Sequence, residues 1–289
     1  SVIMAGDGGM EYAMCTFIDG VGHPTMESLY SVTSHEIAHT WFQFLMATNE
    51  SKHSWMDEGF TSYIDDVALN VVLEKGKALP NANAYKDYFK WVATGLEEPM
   101  TTHADRFKYN DGYGMSAYDK GSIFLSQLEY VIGKKNFDRA LKKYFNDWAF
   151  KHPKPNDFIR SAEKVSGLEL DWYLLDWAQS TMTIDYSINS IISESGSTKI
   201  VLRRVGQMGM PIDLRVELIS GEMIDFNIPM TKMRGSKPLE SAILLNSWSW
   251  AKPFYSFGID LDKNSISKII IDPKGEMADI DRFNNILTF

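Results

Sequence analysis

Residues 32–42, VTSHEIAHTWF, place two histidines and a glutamate within five positions of a mostly apolar run. Ionisable side chains are uncommon among bulky apolar residues unless they are paired or have a chemical role. The apolar spacing predicts a helix over about 24–46, which puts His35 and His39 on one face, one turn apart. Two imidazoles in this arrangement can bind one tetrahedral zinc ion at about 2.0–2.1 Å.

A third ligand is needed to complete such a site. The metzincin pattern would require Gly at position 42 and His at position 45, but the chain has Phe42 and Leu45. Glu58 follows His39 after eighteen intervening residues. A second helix, predicted from about Asp57, can return the chain and bring Glu58 beside the two histidines.

Two histidines and one glutamate leave a fourth zinc position open for water, as is typical of catalytic rather than structural sites. Zinc lowers the pKa of such a water toward about 7 and polarises a carbonyl group. Glu36, next to the first histidine, occupies the position of the general base in H-E-x-x-H metallopeptidases. The spacing therefore predicts zinc-dependent hydrolysis, with an amide as the expected substrate.

The combination of HEIAHTWF, eighteen residues and DEGF resembles the gluzincin aminopeptidases of peptidase family M1. The family has a G-x-M-E-N loop about two dozen residues upstream, and GGMEY stands here at that distance. The resemblance implies that Glu11 anchors the free α-ammonium group of a peptide. It also implies that the backbone of Gly8, Gly9 and Met10 binds the substrate.

A second motif supports the resemblance. The family has a Tyr-x-Lys-Gly sequence roughly eighty residues after the zinc helix, and AYDKGSIF supplies Tyr118 here. The resemblance implies that this phenol stabilises the oxyanion of the transition state.

Three departures from the family pattern stand out. Tyr12 replaces the Asn of the amine-binding loop, and Asp57 replaces the Asn that often precedes the third ligand. The large N-terminal β domain of the family has no counterpart in the sequence, so we expect an upstream β domain in the same parent chain. Downstream of the site, Asp65 and Asp66 could hydrogen-bond a zinc ligand, but a solvated helix face is the favoured expectation.

The resemblance and the patterning together predict an α+β protein. Residues 1–185 are predicted to form a mainly helical, thermolysin-like catalytic domain, and residues 186–289 a small antiparallel β-sandwich. The N-terminal residues 2–19 are expected as strand, glycine turn at GDGG and strand. Further helices are expected at 57–75, 84–95, 116–131, 136–148, 155–165 and 170–179. Strands are expected at 198–205, 212–220, 223–230, 241–247 and 267–273.

Composition limits the partners. The 289 residues have a net charge of −9, which disfavours nucleic acid as a partner and suits cationic or neutral substrates. Peptides with a free N-terminal amine are the substrates that the family resemblance implies. No apolar run reaches the ~18 residues needed to span a bilayer. The single cysteine, Cys15, excludes an internal disulfide, and the compartment stays open among cytoplasmic, periplasmic and secreted.

Several alternatives to an aminopeptidase remain open from the sequence. An endopeptidase or an epoxide hydrolase of the same fold would use the same zinc motif. A catalytically silent metal-binding or scaffolding fragment would retain the motif without turnover. The motif itself does not separate these alternatives.

Overall fold

The computed structural model of the chain describes residues 1–6, 8–194 and 196–289. At Glu194 it describes the backbone but not the side chain. Asp7, within the predicted glycine turn, therefore lies outside the described residues. The helices are α1 Met26–Ala38, α2 Glu50–Ser54, α3 Phe60–Val72, α4 Ala82–Val92, α5 Asn110–Gly114, α6 Lys120–Ile132, α7 Lys134–Trp148, α8 Pro155–Ser166 and α9 Asp171–Ala178. The strands are β1 Val2–Met4, β2 Gly9–Met10, β3 Thr16–Ile18, β4 Tyr186–Glu194, β5 Ser197–Arg204, β6 Ile212–Leu218, β7 Met223–Ile228, β8 Ile243–Leu244, β9 Phe254–Ile259, β10 Ile266–Ile271 and β11 Ile286–Thr288. These elements confirm the α+β class.

The N-terminal strands form a small sheet in the order β1-β3-β2. β1 pairs with β3 in parallel and β2 pairs with β3 antiparallel. The strands on either side of the glycine turn therefore do not pair with each other, because β3 lies between them. This arrangement delivers the residues after β2 to the C-terminal end of α1.

Helix α1 is shorter than its apolar pattern indicates. Thr25 caps its N-terminus, and Ser28 completes a reciprocal pair of side-chain to backbone hydrogen bonds. The predicted continuation to residue 46 is wrong, because the helix ends at Ala38. The apolar residues that follow lie in turns, where Gln43 adopts a φ of 134° that no helix allows.

The second helical segment begins earlier than predicted. Asn49 caps α2, which starts at Glu50 rather than near Asp57. One π-helical turn, Trp55–Gly59, then connects α2 to α3. A second π-helical turn, Met115–Asp119, joins α5 to α6, so this helical segment begins at Asn110 instead of 116. The four remaining helices agree with prediction to within three residues at each end.

The C-terminal strands form a five-stranded sheet, β11-β10-β6-β7-β8, and a three-stranded sheet, β4-β5-β9. The pairing is antiparallel except that β8 runs parallel to β7, which corrects the expectation of a purely antiparallel fold. Strands β4, β9 and β11 were not predicted, and β8 is only two residues long. The rings of Phe226 and Phe257, 5.4 Å apart, connect the two sheets.

One hydrophobic core runs through both halves of the chain. Polar contacts reinforce this connection: Tyr85 Oη donates to the carbonyl oxygen of Glu276 at 2.9 Å, and Gln127 Oε1 accepts from the Ala278 amide at 3.0 Å. The division at residue 185 therefore stays a prediction. Within the described ranges, no helix has the length and apolar character required to traverse a bilayer.

Asp65 is buried instead of solvated, which corrects the sequence-based expectation for this residue. Its carboxylate on α3 accepts hydrogen bonds from Ser31 and Ser34 on α1, the former at 2.8 Å. Asp66 is half-buried, and its pKa is raised to about 7 by burial and by the charge of Asp65. Asp65 thus holds α3, the helix that follows Glu58, against α1, the helix that contains His35.

Two glycines bring the π-helical turns together. A β-carbon at Gly59 would lie 2.5 Å from the Cα of Gly121 and 2.9 Å from the carbonyl oxygen of Ala117. Only glycine permits this backbone approach. The contact therefore fixes the segment that carries Glu58 against the segment that carries Tyr118.

We expect Gly59→Ala to lower the free energy of unfolding by about 1–3 kcal/mol, because the added methyl group forces the two backbones apart. Urea unfolding measures the change. Gly114→Ala is the matched control, since a β-carbon there has nothing within 4 Å beyond its own helix and the change should be neutral or stabilising. Equal stability of Gly59→Ala and the wild type would show that the backbone contact between Gly59 and Gly121 does not exclude a side chain at position 59.

Candidate metal centre and active site

The two histidines and Glu58 converge on one point. Nε2 of His35 lies 3.2 Å from Glu58 Oε2, and Nε2 of His39 lies 3.3 Å from the same oxygen. The two Nε2 atoms are 3.3 Å apart. Ligands bound tetrahedrally at about 2.0–2.1 Å are separated by about 3.3 Å, so these three atoms have the spacing that a zinc ion requires.

The π-helical turn Trp55–Gly59 delivers Glu58 to this point. π-helical turns widen the helix locally and occur often at functional sites. Since α1 ends immediately before His39, the chain turns away at once and leaves room for Glu58. The prediction that Glu58 comes back beside the histidines agrees with the structure, although the first helix does not continue past them.

Asp57 is the principal site residue whose function the sequence did not indicate. It is buried, and its Oδ1 lies 2.7 Å from Nδ1 of His39. The carbonyl oxygen of Phe42 lies 3.0 Å from the same nitrogen. The Phe42 carbonyl as acceptor and the negative charge of Asp57 favour a proton on Nδ1, which leaves the lone pair of Nε2 available to a metal. The adjacency of Asp57 to Glu58 was the available clue, but it suggested only an added negative charge.

The charges of this cluster favour a cation. Burial alone would lower the pKa of His39, but hydrogen bonds with Asp57 and Glu58 raise it to about 11. Burial would raise the pKa of Glu58, yet its hydrogen bonds with His35 and His39 lower it to about 2. Carboxylates that stabilise an imidazolium this strongly also attract a divalent metal ion.

Glu36 lies beside the cluster with its carboxylate buried. Burial raises its pKa to about 7, despite the opposing effect of His35 and His39. Its Oε2 is buried and has no hydrogen-bond partner among the residues that the structure describes. The backbone of Gly9 lies directly against this carboxylate, where any β-carbon would collide with Oε1. A carboxylate with a pKa near neutrality is suited to accept and return a proton.

The N-terminal loop brings Glu11 to the same place. Glu11 follows β2 and is 9% exposed. One of its carboxylate oxygens lies within 4.8 Å of donor atoms of both His39 and Asp57. Gly8, with a φ of 71°, and Met10 complete the loop. The structure thus places Glu11 near His39 and Gly9 against Glu36, with Gly8 and Met10 in the same short loop.

Tyr118 lies on the second π-helical turn. Its ring stacks on that of His35, with centroids 5.9 Å apart and planes 16° apart. Burial and the nearby Glu58 carboxylate raise the pKa of Tyr118 above its ordinary value, so the phenol keeps its proton and can donate a hydrogen bond. Tyr113, on α5, was not predicted; burial and the charge of Glu58 likewise raise its pKa.

The other histidines take no part in this arrangement. Within the described ranges, two groups of residues have metal-binding spacing: His35, His39 and Glu58, and Glu11, His39 and Asp57. Neither includes any of the four remaining histidines, which are His23, His53, His103 and His152.

Comparison with known proteins shows the family of this chain. A sequence profile described as the peptidase family M1 domain matches residues 14–177, more than half of the chain. The leukotriene A-4 hydrolase homolog of Botryotinia fuckeliana is 26% identical over 164 residues, which cover 52% of this chain and 24% of that protein. Aminopeptidase B of Mus musculus is 26% identical over 188 residues, which cover 58% of this chain and 29% of that protein.

The fold is also similar to a solved structure, that of Legionella pneumophila aminopeptidase A in complex with aspartic acid. The TM-score is 0.62 at 15% sequence identity, over 94% of this chain and 30% of that one. At this identity the similarity shows the fold alone. The chain spans less than a third of the length of each of these three proteins.

We expect the protein to bind about one zinc ion per chain, and Glu58→Gln to lose it on dialysis because the neutral amide is a weak zinc ligand. Elemental analysis after gel filtration measures the stoichiometry. His103→Gln, which changes a histidine outside the cluster, should retain zinc like the wild type. Full zinc retention by Glu58→Gln would exclude Glu58 as a ligand.

Proposed function

This chain belongs to peptidase family M1, and on that premise we propose that it is the catalytic part of a zinc-dependent aminopeptidase that hydrolyses the N-terminal peptide bond of peptides. The observation that carries the proposal is the position of Glu11. Its carboxylate lies within 4.8 Å of His39 and Asp57, so an ammonium group held there sits next to the proposed metal site. A substrate anchored by its amino terminus presents its first peptide bond to that site.

His35, His39 and Glu58 are the proposed zinc ligands, and Asp57 orients His39 through Nδ1. When bound, zinc supplies Lewis acidity toward water and the substrate carbonyl. We also propose that the substrate backbone binds to the backbone of Gly8, Gly9 and Met10.

Glu36 is the proposed general base. As a water molecule attacks the scissile carbonyl carbon, Glu36 accepts the proton that this water loses. The C–N bond then breaks, and Glu36 returns the proton to the leaving amine, so its carboxylate is restored at the end of the cycle. Burial raises the pKa of Glu36, which favours uptake of this proton.

Tyr118 is the proposed oxyanion donor. Its phenol stacks on His35 and retains its proton, so it can donate to the carbonyl oxygen while negative charge develops there. This interaction strengthens in the transition state and therefore lowers the activation barrier.

An upstream β domain of the same parent chain is part of the proposal. Strand β1 exposes its three apolar side chains, with Val2 52%, Ile3 45% and Met4 70% exposed. Another domain could pack on this exposed apolar strand, which lies next to the amine-binding loop.

We expect Glu36→Gln to lower kcat about 10²–10⁴-fold with zinc retained, because the amide cannot accept the proton. Hydrolysis of an aminoacyl chromogenic amide by the full-length protein measures the effect. Glu27→Gln, an exposed change on the same helix, is the control and should be silent. If Glu36→Gln remains fully active, Glu36 is not the base.

N-acetylation of the substrate should lower kcat/KM at least about 30-fold, because it removes the ammonium that pairs with Glu11. Glu11→Ala should cause a similar loss with the free-amine substrate and almost none with the acetylated one. Comparable cleavage of both substrates by the wild type would instead identify an endopeptidase.

A further inference from the structure

Gln43 has the largest positive φ among the described non-glycine residues. Its φ is 134°, whereas the other five non-glycine residues with positive φ, described in the same ranges, lie between 48° and 65°. Those five values belong to the left-handed helical region, which side chains tolerate at moderate cost. A φ of 134° is a conformation that glycine adopts and that a β-carbon strains.

The turn after α1 fixes this conformation. Three successive backbone bonds close it: the Phe44 amide to the His39 carbonyl at 3.2 Å, Leu45 to Thr40 at 3.0 Å, and Met46 to Trp41 at 3.1 Å. Glycine would satisfy the same turn without strain. The side chain of glutamine is therefore expected to make interactions that offset the backbone strain.

The side chain of Gln43 bridges two acids. Its Nε2 donates to Glu11 Oε1 at 3.1 Å and to Glu50 Oε2 at 3.0 Å. Both partners are carboxylates, which accept hydrogen bonds only, so the amide nitrogen and not its oxygen faces them. Glu11 is buried and Glu50 is exposed, so the bridge extends from the substrate loop to the start of α2.

We infer that Gln43 is a positioning residue that holds the Glu11 carboxylate in place for the substrate ammonium, an inference that rests on the proposed function. A neutral amide is the appropriate donor for this purpose. It fixes the carboxylate through a hydrogen bond and leaves its negative charge available to the substrate. A lysine or arginine would fix Glu11 equally well but would neutralise it.

The test is initial-rate kinetics of the zinc-loaded full chain on an aminoacyl chromogenic amide. Gln43→Gly should raise KM about three- to tenfold with kcat nearly unchanged, since the amine anchor acts in ground and transition states alike. Gln43→Glu keeps the size of the side chain but replaces the donor by a third carboxylate, and should raise KM further. A residue that only fills space would tolerate this second change.

Two controls separate positioning from backbone strain. Glu74→Gly relieves a positive φ at the end of α3, so it should raise the melting temperature, as Gln43→Gly should, but leave KM unchanged. In a Glu11→Ala background, Gln43→Gly should have no further effect on KM, because the carboxylate that it positions is absent.

The outcomes are distinct. An unchanged KM in Gln43→Gly, or the same rise in KM in the Glu11→Ala background as in the wild type, overturns the inference while the aminopeptidase proposal stands. A wild-type protein that binds zinc but cleaves no free-amine substrate overturns the proposed function, and this inference with it. A KM rise confined to proteins that retain Glu11 supports both.

Discussion

Three donor atoms from two separate chain segments must meet at one point, and the rest of the structure depends on this constraint. His35 and His39 are set by one helical turn, but Glu58 comes from a segment that has left α1 and returned. The three atoms are 3.2–3.3 Å apart, and α1 ends at Ala38, immediately before His39. Glu58 lies in the π-helical turn through which the chain returns to the histidines.

The surrounding core keeps these segments fixed. Asp65 joins α3 to α1 through two serines, and the contact of Gly59 with Gly121 fixes Glu58 relative to Tyr118. Lys120, two residues after Tyr118, is 1% exposed and lies 2.5 Å from Glu97. A buried ion pair of this kind tolerates little displacement, since separating its charges in the core is costly. Buried polar contacts therefore maintain the geometry on both sides of the site.

The sequence predicted which three residues would lie together more accurately than it predicted the ends of the helices around them. The spacing of His35, His39 and Glu58 was sufficient because helical periodicity sets two positions and chain length limits the third. The end of α1 at Ala38 was missed because Trp41, Phe42 and Leu45 continue the apolar spacing beyond it, and the positive φ of Gln43 in the following turn has no sequence signature. The parallel pairing of β1 with β3 was missed because strand partners depend on contacts distant in sequence. Asp65 was assigned to solvent because its serine partners lie on another helix, thirty-one and thirty-four residues away.

The central claim is that two imidazoles and one carboxylate hold a single zinc ion with one position left open. X-ray absorption fine structure at the zinc edge of the metal-loaded protein tests it most directly. The account predicts four nitrogen or oxygen neighbours at about 2.0–2.1 Å, which are two imidazoles, one carboxylate and one water molecule at the open position. The spectrum should show the multiple scattering of two imidazoles. Glu58→Gln samples that have lost the metal should show no zinc edge. A zinc–sulfur distance near 2.3 Å, or the scattering of one imidazole only, would contradict it.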